Sequence, residues 1–335
     1  MAVAPALGTG KSPQPPHLIK PPRLQPGDTV GLVTPASAPF NVHQTLIEAR
    51  EKMHNLGFKT KVGKHVGEKW GFLAGSDMHR VEDLHAMFRD PEVKAIIAIR
   101  GGYGSARLLP LLDLELIRSH PKILVGYSDI TALAVGIHRL TGLVTFHGPV
   151  AVSTFTDYTR KYFLETLGNP QPIGEIEDPP YERNLQTSNR VWTIRGGKAR
   201  GRLIGGNLTL LTATLGTPYE IQTRGRILFI EEVGEEPYDV DRMLTQLAHA
   251  GKLQECAGIV FDRMPSVRPA TFDPAFATNL SIEEVILDHV EKLGIPACFG
   301  LSLGHVKHKP TLPMGILAEL DADKGRLALL EGAVV

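Results

Sequence analysis

Apolar and polar positions alternate in two ways along the first half of the chain, and each way predicts one kind of element. Short runs of mostly apolar residues that end near glycine or proline predict buried strands. Apolar residues at spacings of three and four predict helices, as for Leu46, Ala49 and Met53. The predicted strands are 28–34, 58–62, 93–99, 122–125 and 143–146, and the predicted helices are 43–56, 77–89, 106–112 and 131–140. This alternation predicts a doubly wound parallel sheet with helices on both faces.

The second half of the chain has a different pattern, which predicts a mixed α/β domain with antiparallel edges. Its predicted strands are 191–194, 199–204, 226–230 and 257–261, with a closing hairpin of 316–320 and 326–330. Its predicted helices are 208–215, 240–250 and 282–293, the last capped by Ser281. We therefore predict a smaller C-terminal α/β domain after the N-terminal doubly wound one.

Prolines and glycines mark the predicted boundaries between these parts. The first 22 residues are rich in proline and contain no continuous apolar run, which is typical of a flexible tail rather than a signal peptide. Prolines cluster again between residues 169 and 180, which favours a linker. The predicted organisation is a tail at 1–22, an N-terminal domain at 23–165, a linker at 166–190 and a C-terminal domain at 191–335.

Composition and charge narrow the class of protein. Lys plus Arg equals Asp plus Glu at 36 each, so no overall charge attracts nucleic acid or an anionic membrane surface. No segment approaches the ~20 consecutive apolar residues that a membrane helix needs. The chain has 2 cysteines, Cys256 and Cys298, which favours a reducing compartment, although one disulfide stays open. These features predict a globular protein of the cytoplasm.

One serine, Ser128, lies between the predicted strand 122–125 and the predicted helix 131–140. A serine on such a turn can present its hydroxyl beyond the sheet, while the N–H groups of the following helix face the group that it attacks. Ile130 occupies the place of the second glycine of a Gly-x-Ser-x-Gly turn, and Ser128 or Asp129 could instead cap the helix. Taken alone, the turn favours the cap over the nucleophile.

Three further segments carry candidate chemistry. The glycine loop Gly101-Gly102-Tyr103-Gly104 follows a buried strand and could bind an anion through its amides, or could be only a tight turn. Four acidic residues follow strand 226–230; most of them should be solvated, and Glu231 is the best placed to orient a histidine. His305 follows a short apolar segment bracketed by glycines. His305 and His308 could also bind a metal, but no nearby carboxylate pattern supports this.

Ser128, Glu231 and His305 each follow a predicted strand, in the order serine, acid, histidine. A serine hydroxyl is a poor nucleophile at neutral pH, so it needs a base, and the base needs an orienting carboxylate. This combination favours a catalytic triad over a helix cap.

Six motifs in order resemble the LD-carboxypeptidase family of S66-type serine peptidases. They cover the chain from about residue 23 to residue 331, and they are Arg100-Gly101-Gly102-Tyr103-Gly104, Gly126-Tyr127-Ser128-Asp129, His147-Gly148-Pro149, Gly205-Gly206-Asn207-Leu208, Phe229-Ile230-Glu231-Glu232 and Gly304-His305. The resemblance implies an N-terminal doubly wound domain similar to class I glutamine amidotransferases and a smaller C-terminal domain. It further implies a homodimer with no metal or other cofactor.

The resemblance also implies a role for individual residues and a substrate. Ser128 matches the nucleophile, Glu231 the acid and His305 the base, while the backbone amides of Gly102 and Asp129 match the oxyanion hole. The implied reaction removes the terminal D-alanine from murein tetrapeptide, after the L-centre of meso-diaminopimelate, during cytoplasmic peptidoglycan recycling. By position alone, Tyr103 and Arg107 are candidates for binding the substrate carboxylates.

Two alternative functions stay open at the level of sequence. Some relatives cleave peptidyl-nucleotide antibiotics of the microcin C kind and confer self-immunity, which a pocket for a nucleobase would favour. The chain could also bind muropeptides without catalysis, although the presence of all three triad residues speaks against that. Neither alternative involves a nucleic acid or a membrane as partner.

Overall fold

The computed structural model describes residues 17–180 and 191–335, and these residues form two sheets covered by helices. The strands in chain order are β1 Thr29–Val33, β2 Lys59–Val62, β3 Val93–Ala98, β4 Ile123–Gly126, β5 Phe146–His147, β6 Gly174–Glu175, β7 Trp192–Arg195, β8 Lys198–Asn207, β9 Ile227–Glu231, β10 Gly258–Asp262, β11 Ala297–Leu301, β12 Leu312–Pro313, β13 Leu317–Asp321 and β14 Arg326–Leu329. The helices are α1 Val42–Asn55, α2 Asp77–Arg89, α3 Leu114–Ser119, α4 Thr131–Thr141, α5 Asp157–Gly168, α6 Leu208–Ala213, α7 Pro237–His249 and α8 Ile282–Val290, with 3₁₀ helices at Ser105–Leu111, Ser128–Ile130 and Glu291–Leu293.

The first sheet has six strands in the order β12-β5-β4-β3-β1-β2, and the five strands from the N-terminal half are mutually parallel. Their apolar runs are buried on both faces, against α1 and α5 on one side and α2 and α4 on the other. The strand order reverses between β1 and β3, so the loops after these strands diverge and leave a crevice at the carboxyl edge. The predicted doubly wound sheet is confirmed.

The second sheet has eight strands in the order β6-β14-β13-β8-β9-β10-β11-β7. Strands β8 to β11 form a parallel centre, and antiparallel strands flank it on both sides. The predicted closing hairpin is β13 and β14. The mixed α/β architecture predicted for this half is therefore confirmed.

Segments from each end of the chain cross between the predicted parts. β12 comes from the C-terminal half but extends the first sheet by pairing antiparallel to β5. Ile19, within the predicted tail, forms a bridge with Leu143, and the carbonyl of Pro21 accepts the amide of Val335 at 3.0 Å. Residues 1–16 of the predicted tail and 181–190 of the predicted linker lie outside the described residues.

Several elements differ from the sequence prediction for local reasons. The segment predicted as helix 106–112 is a 3₁₀ helix, because Pro110 removes the N–H that an α-helix would need there. α3 and α5 were not predicted, although Asp113 and Thr156 cap them. Both cysteines are free and buried, so the disulfide that the sequence allows is not formed. In the described part of the chain, no helix is long and apolar enough to cross a membrane.

Candidate active site

Ser128 lies on a strained turn at the carboxyl edge of the first sheet. β4 ends at Gly126, and the 3₁₀ helix Ser128–Ile130 leads directly into α4. The φ angle of Ser128 is +62°, in the left-handed region that costs a non-glycine residue energy and is common at functional sites. Neither Ser128 nor Asp129 caps α4 with its side chain, so the cap interpretation is wrong.

The Asp129 side chain joins this turn to the glycine loop. Its buried carboxylate accepts the amide N–H groups of Gly104 at 3.1 Å and Ser105 at 2.8 Å. Its carbonyl accepts the Ser105 hydroxyl at 2.5 Å. Hydrogen bonds to a carboxylate are stronger than neutral ones, so Asp129 fixes the loop relative to Ser128. This contact, made by a side chain, adds to the oxyanion role predicted for the Asp129 amide.

The glycine loop approaches Ser128 closely. A Cβ placed on Gly101 would lie 3.1 Å from the Cβ and 3.3 Å from the Oγ of Ser128, so a larger residue would crowd the hydroxyl. Among the described residues, the amides of Gly102 and Asp129 have no hydrogen-bond acceptor. Two unpaired amides beside a serine hydroxyl can bind the oxygen of a tetrahedral intermediate. The predicted oxyanion-hole role therefore stays a hypothesis that the geometry allows.

Glu231 and His305 form a close pair at the carboxyl edge of the second sheet. Glu231 ends β9 and is fully buried, and its Oε2 lies 2.6 Å from Nδ1 of His305. The other carboxylate oxygen of Glu231 has no partner within the described residues. Because Nδ1 donates to Glu231, Nε2 of a neutral His305 carries the free lone pair that a general base needs.

The loop that carries His305 is held by side chains from both sheets. Asp262, at the end of β10, accepts the amides of Leu303 at 2.7 Å and Gly304 at 3.2 Å. His147, at the end of β5, contacts the carbonyl of Leu303 through Nε2 at 3.1 Å. The position of His305 therefore depends on both halves of the chain.

Burial shifts the pKa of both loop-holding side chains. It lowers the pKa of His147 to about 4, so this imidazole is neutral at pH 7 and donates from Nε2. Burial, with the nearby Glu231 charge, raises the pKa of Asp262 to about 6, so this carboxylate is ionised at pH 7 and accepts both amides.

Tyr127 brings the serine turn and the histidine together. Its ring lies against the imidazole of His305, with centroids 4.8 Å apart. In the described part of the chain, no hydrogen bond joins the Ser128 hydroxyl to His305. Catalytic hydrogen bonds are often long without substrate and shorten in its complex, so this geometry is compatible with the predicted triad.

Tyr103 and Arg107, the predicted carboxylate-binding residues, make other contacts. Tyr103 is exposed, and its ring meets the edge of Phe72. Arg107 forms a bidentate ion pair with Asp77, in which Nη2 of Arg107 lies 2.8 Å from Oδ2 of Asp77. This pair holds the pKa of Asp77 below its usual range. Arg107 would have to leave Asp77 to bind a substrate, so its predicted role stays a prediction.

The acidic segment after β9 is less exposed than the sequence predicts. Glu232 is buried, and its carboxylate accepts Nδ2 of Asn207 at 2.9 Å and the amide of Thr209 at 2.8 Å. The expectation that most of these four acids are solvated is therefore wrong for Glu232. Hydrogen bonds to the start of α6 compensate the loss of water, although burial still raises the pKa of Glu232.

One group among the described residues has the composition of a metal site, namely His65, Glu68 and His79. The Nδ1 atoms of both histidines already contact the Glu68 carboxylate, at 2.8 and 2.7 Å. His308, which the sequence left open as a metal ligand, contacts the Thr156 hydroxyl through Nδ1 at 3.0 Å. No metal-ligating group in the described ranges includes His305 or His308.

A cleft of about 450 Å³ opens beside His305. Its polar lining includes Ser153, Lys307 and Lys309, and Tyr127 forms part of its wall. Sequence reasoning assigned no role to Lys309 or to the loop-holding Asp262 and His147. An acidic residue at the end of a buried strand was the available signal for Asp262, whereas nothing in the sequence distinguishes Lys309 from other lysines.

Comparison with known proteins gives one consistent result. Family models described as the LD-carboxypeptidase N-terminal domain and the LD-carboxypeptidase C-terminal domain match residues 30–148 and 200–320. The chain is 42% identical over 315 residues to a probable murein peptide carboxypeptidase of Bacillus subtilis, covering 94% of this chain and 95% of that protein. It is 31% identical to the murein tetrapeptide carboxypeptidase of Pseudomonas aeruginosa, covering 89% and 94% of the two chains.

A solved structure supports the same fold. The structure of MccF, a microcin C7 self-immunity protein, in complex with glutamyl sulfamoyl guanosine superposes with a TM-score of 0.82. The two chains are 26% identical, and the match covers 94% of this chain and 99% of the other. Both sheets therefore share the arrangement found in that structure.

Proposed function

This chain belongs to the LD-carboxypeptidase family, and we propose that it removes the terminal D-alanine from murein tetrapeptide by serine acyl transfer. The observation that carries the proposal is the Glu231–His305 pair, whose imidazole lies against Tyr127 on the strained turn of Ser128. Murein peptide carboxypeptidases among its relatives support the substrate class.

In the proposed mechanism, Nε2 of His305 takes the proton of the Ser128 hydroxyl as the oxygen attacks the peptide carbonyl. The amides of Gly102 and Asp129 donate to the negative oxygen of the tetrahedral intermediate. As the C–N bond breaks, His305 protonates the leaving nitrogen of D-alanine, and an ester to Ser128 remains. His305 then activates a water molecule, which releases the tripeptide and restores the serine. Glu231 stabilises the imidazolium in both steps.

The direct test is incubation of the purified protein with murein tetrapeptide and measurement of free D-alanine. We expect turnover that Ser128→Ala lowers by a factor of about 10³ or more, because triad residues act as a unit. The folded state of the variant is checked by circular dichroism. Near-normal turnover by Ser128→Ala would contradict the proposed nucleophile, and no release by the unaltered protein would contradict the proposed substrate.

The similarity to the MccF complex favours one second candidate, a peptidase that cleaves peptidyl-nucleotides. Parallel assays with murein tetrapeptide and a peptidyl-adenylate separate the two, since kcat/KM should be higher for the true substrate. A non-catalytic muropeptide binder is the third possibility. Labelling of Ser128 by a serine-directed acylating probe would exclude it.

The setting of the reaction is proposed on the family resemblance. We propose that the protein acts in peptidoglycan recycling in the cytoplasm, as a homodimer. We also propose that 23–165 and 191–335 act as the two domains that contribute the nucleophile and the acid–base pair. Light scattering on the purified protein tests the dimer.

A further inference from the structure

Lys309 is a largely buried lysine that is paired with no acidic side chain in the described part of the chain. Its exposed fraction is 5%, and within the described residues its ammonium forms no ion pair. The ammonium lies over the ring of Tyr127, 5.0 Å from the centroid. A cation–π contact supplies only part of what a buried ammonium loses when it leaves water.

The backbone around Lys309 is held by contacts with α5 and its N-cap residue Thr156. The amide of Lys309 donates to the Thr159 hydroxyl at 3.2 Å. The preceding His308 contacts Thr156 at 3.0 Å, and the carbonyl of Thr311 accepts the Thr166 hydroxyl at 3.2 Å. The main chain of Lys309 is therefore held before a ligand arrives, and the ring of Tyr127 lies against the ammonium, which lowers the entropy cost of binding.

Lys309 lines the same cleft as His305 and Tyr127, the residue that precedes the proposed nucleophile. Burial lowers the pKa of Lys309, and the charges of Asp262 and Glu231 act in the opposite direction. Both carboxylates already have partners of their own, the loop amides and His305. An unpaired cation in a cleft attracts an anionic ligand group, and the peptide substrates of a carboxypeptidase carry carboxylates.

We propose that Lys309 binds a carboxylate of the peptide substrate in the cleft beside His305. The proposal rests on the proposed function and names the residue that makes the enzyme selective for anionic peptides. The carboxylate is either the terminal one of the substrate or one within the peptide. Both have the same chemistry, and amidated substrates distinguish them.

The test compares Lys309→Met with the unaltered protein on three substrates. These are the murein tetrapeptide, its C-terminal amide, and the tetrapeptide with an amidated diaminopimelate carboxyl group. We expect Lys309→Met to lower kcat/KM for the tetrapeptide about tenfold to a hundredfold, mainly through KM, since a hydrogen bond to a charged group is lost. One of the two amidated substrates lacks the carboxylate that Lys309 binds. For that substrate, kcat/KM should be the same for Lys309→Met and the unaltered protein.

Lys307→Met is the matched control, because Lys307 lines the same cleft but is exposed. Water screens its charge, so its loss should change kcat/KM less than about threefold. Equal loss by Lys309→Met on all three substrates, or a larger effect of Lys307→Met, would overturn the proposal. The melting temperature of Lys309→Met should not fall, because methionine replaces an unpaired buried charge.

Binding measurements separate failure of this proposal from failure of the proposed function. Calorimetry with Ser128→Ala gives the affinity for intact tetrapeptide, and Ser128→Ala/Lys309→Met should bind about tenfold to a hundredfold more weakly. If the unaltered protein binds tetrapeptide without cleaving it, the proposed function is refuted. The comparison of binding affinities still tests whether Lys309 binds a carboxylate. Equal binding by both variants refutes Lys309 alone, and absence of binding refutes both.

Discussion

Single residues around Ser128 act mainly by fixing the position of others. The Asp129 carboxylate holds the glycine loop, Asp262 holds the loop of His305, and Glu231 orients the imidazole itself. All three carboxylates are buried. Amide N–H groups compensate the lost hydration of Asp129 and Asp262, whereas Glu231 meets His305 through one oxygen only. Preorganised groups of this kind lower the cost of reorganisation in the transition state.

At this scale, we predict that Gly304→Ala damages catalysis through Glu231. A Cβ on Gly304 would lie 2.5 Å from the Cβ of Glu231, which is part of β9, and the amide of Gly304 is bound to Asp262. We expect a loss of about 1–3 kcal/mol in the free energy of unfolding, and a fall in kcat of tenfold or more as His305 loses its partner. Steady-state kinetics and urea unfolding measure the two effects.

Gly251→Ala is the control for this prediction. Gly251 has a φ of +73°, and no atom lies within 4 Å of the point that a Cβ would occupy, so alanine there adds strain without a clash. It should cost about 1 kcal/mol of stability and leave kcat unchanged. If Gly304→Ala kept normal kcat, the close approach to Glu231 would be irrelevant to catalysis.

Among the elements, α4 connects the serine turn to the core. It begins directly after the 3₁₀ helix of Ser128, and nearly all of its residues are buried. Near its C-terminus, His138 contacts the carbonyl of Leu143 through Nδ1 at 2.9 Å, and Nη1 of Arg226 lies 3.3 Å from its Nε2. Nδ1 therefore donates and Nε2 accepts, which requires a neutral imidazole.

We predict that His138 makes the protein less stable in mild acid. Burial, with Arg226 nearby, lowers the pKa of His138 to about 4, whereas the unfolded chain takes up this proton near pH 6.5. The unfolded state therefore binds more protons between these values, and stability falls as pH falls through this window. Between pH 7 and pH 5 the loss is about 2 kcal/mol.

The measurement is urea unfolding at pH 7 and pH 5, for the unaltered protein and for His138→Gln. The variant should lose less stability between the two pH values, because glutamine does not titrate. His147 has a similar shift and remains in both proteins, so the difference between them isolates His138. The same loss in both proteins would contradict this assignment.

In the whole molecule, both halves of the chain contribute residues to the same loop, the same sheet and the same core. His147 of the first sheet and Asp262 of the second hold the same loop, and β12 adds a strand from the C-terminal half to the first sheet. Ile316 and Val334, also from the C-terminal half, lie in the core of the first sheet. The proposed site therefore needs the complete chain.

We predict that neither residues 17–180 nor residues 181–335 release D-alanine when produced separately. The first fragment has the proposed nucleophile without its base, and it loses apolar contacts of its own core. Its melting temperature should therefore lie well below that of the complete chain. Measurable turnover by the first fragment alone would contradict the triad proposed across the two halves.

The sequence by itself determined most of the elements and the identities of the candidate groups. Local chemistry explains this: apolar runs form the strands, Ser76 caps α2 directly before the predicted helix 77–89, and the serine turn and glycine loop follow buried strands. The family motifs identified the acid and the histidine, which the structure brings into contact although 74 positions separate them.

Only the tertiary structure decided how these groups are held and which charges are buried. The contact of His147 with Leu303 spans 156 positions and that of Asp262 with the same residue spans 41, and no local pattern encodes such pairs. The burial of Glu232 and Lys309 likewise depends on what packs over them. Helices and strands follow from neighbouring residues, whereas solvation and hydrogen bonding of a side chain depend on the whole fold, and these decide its chemistry.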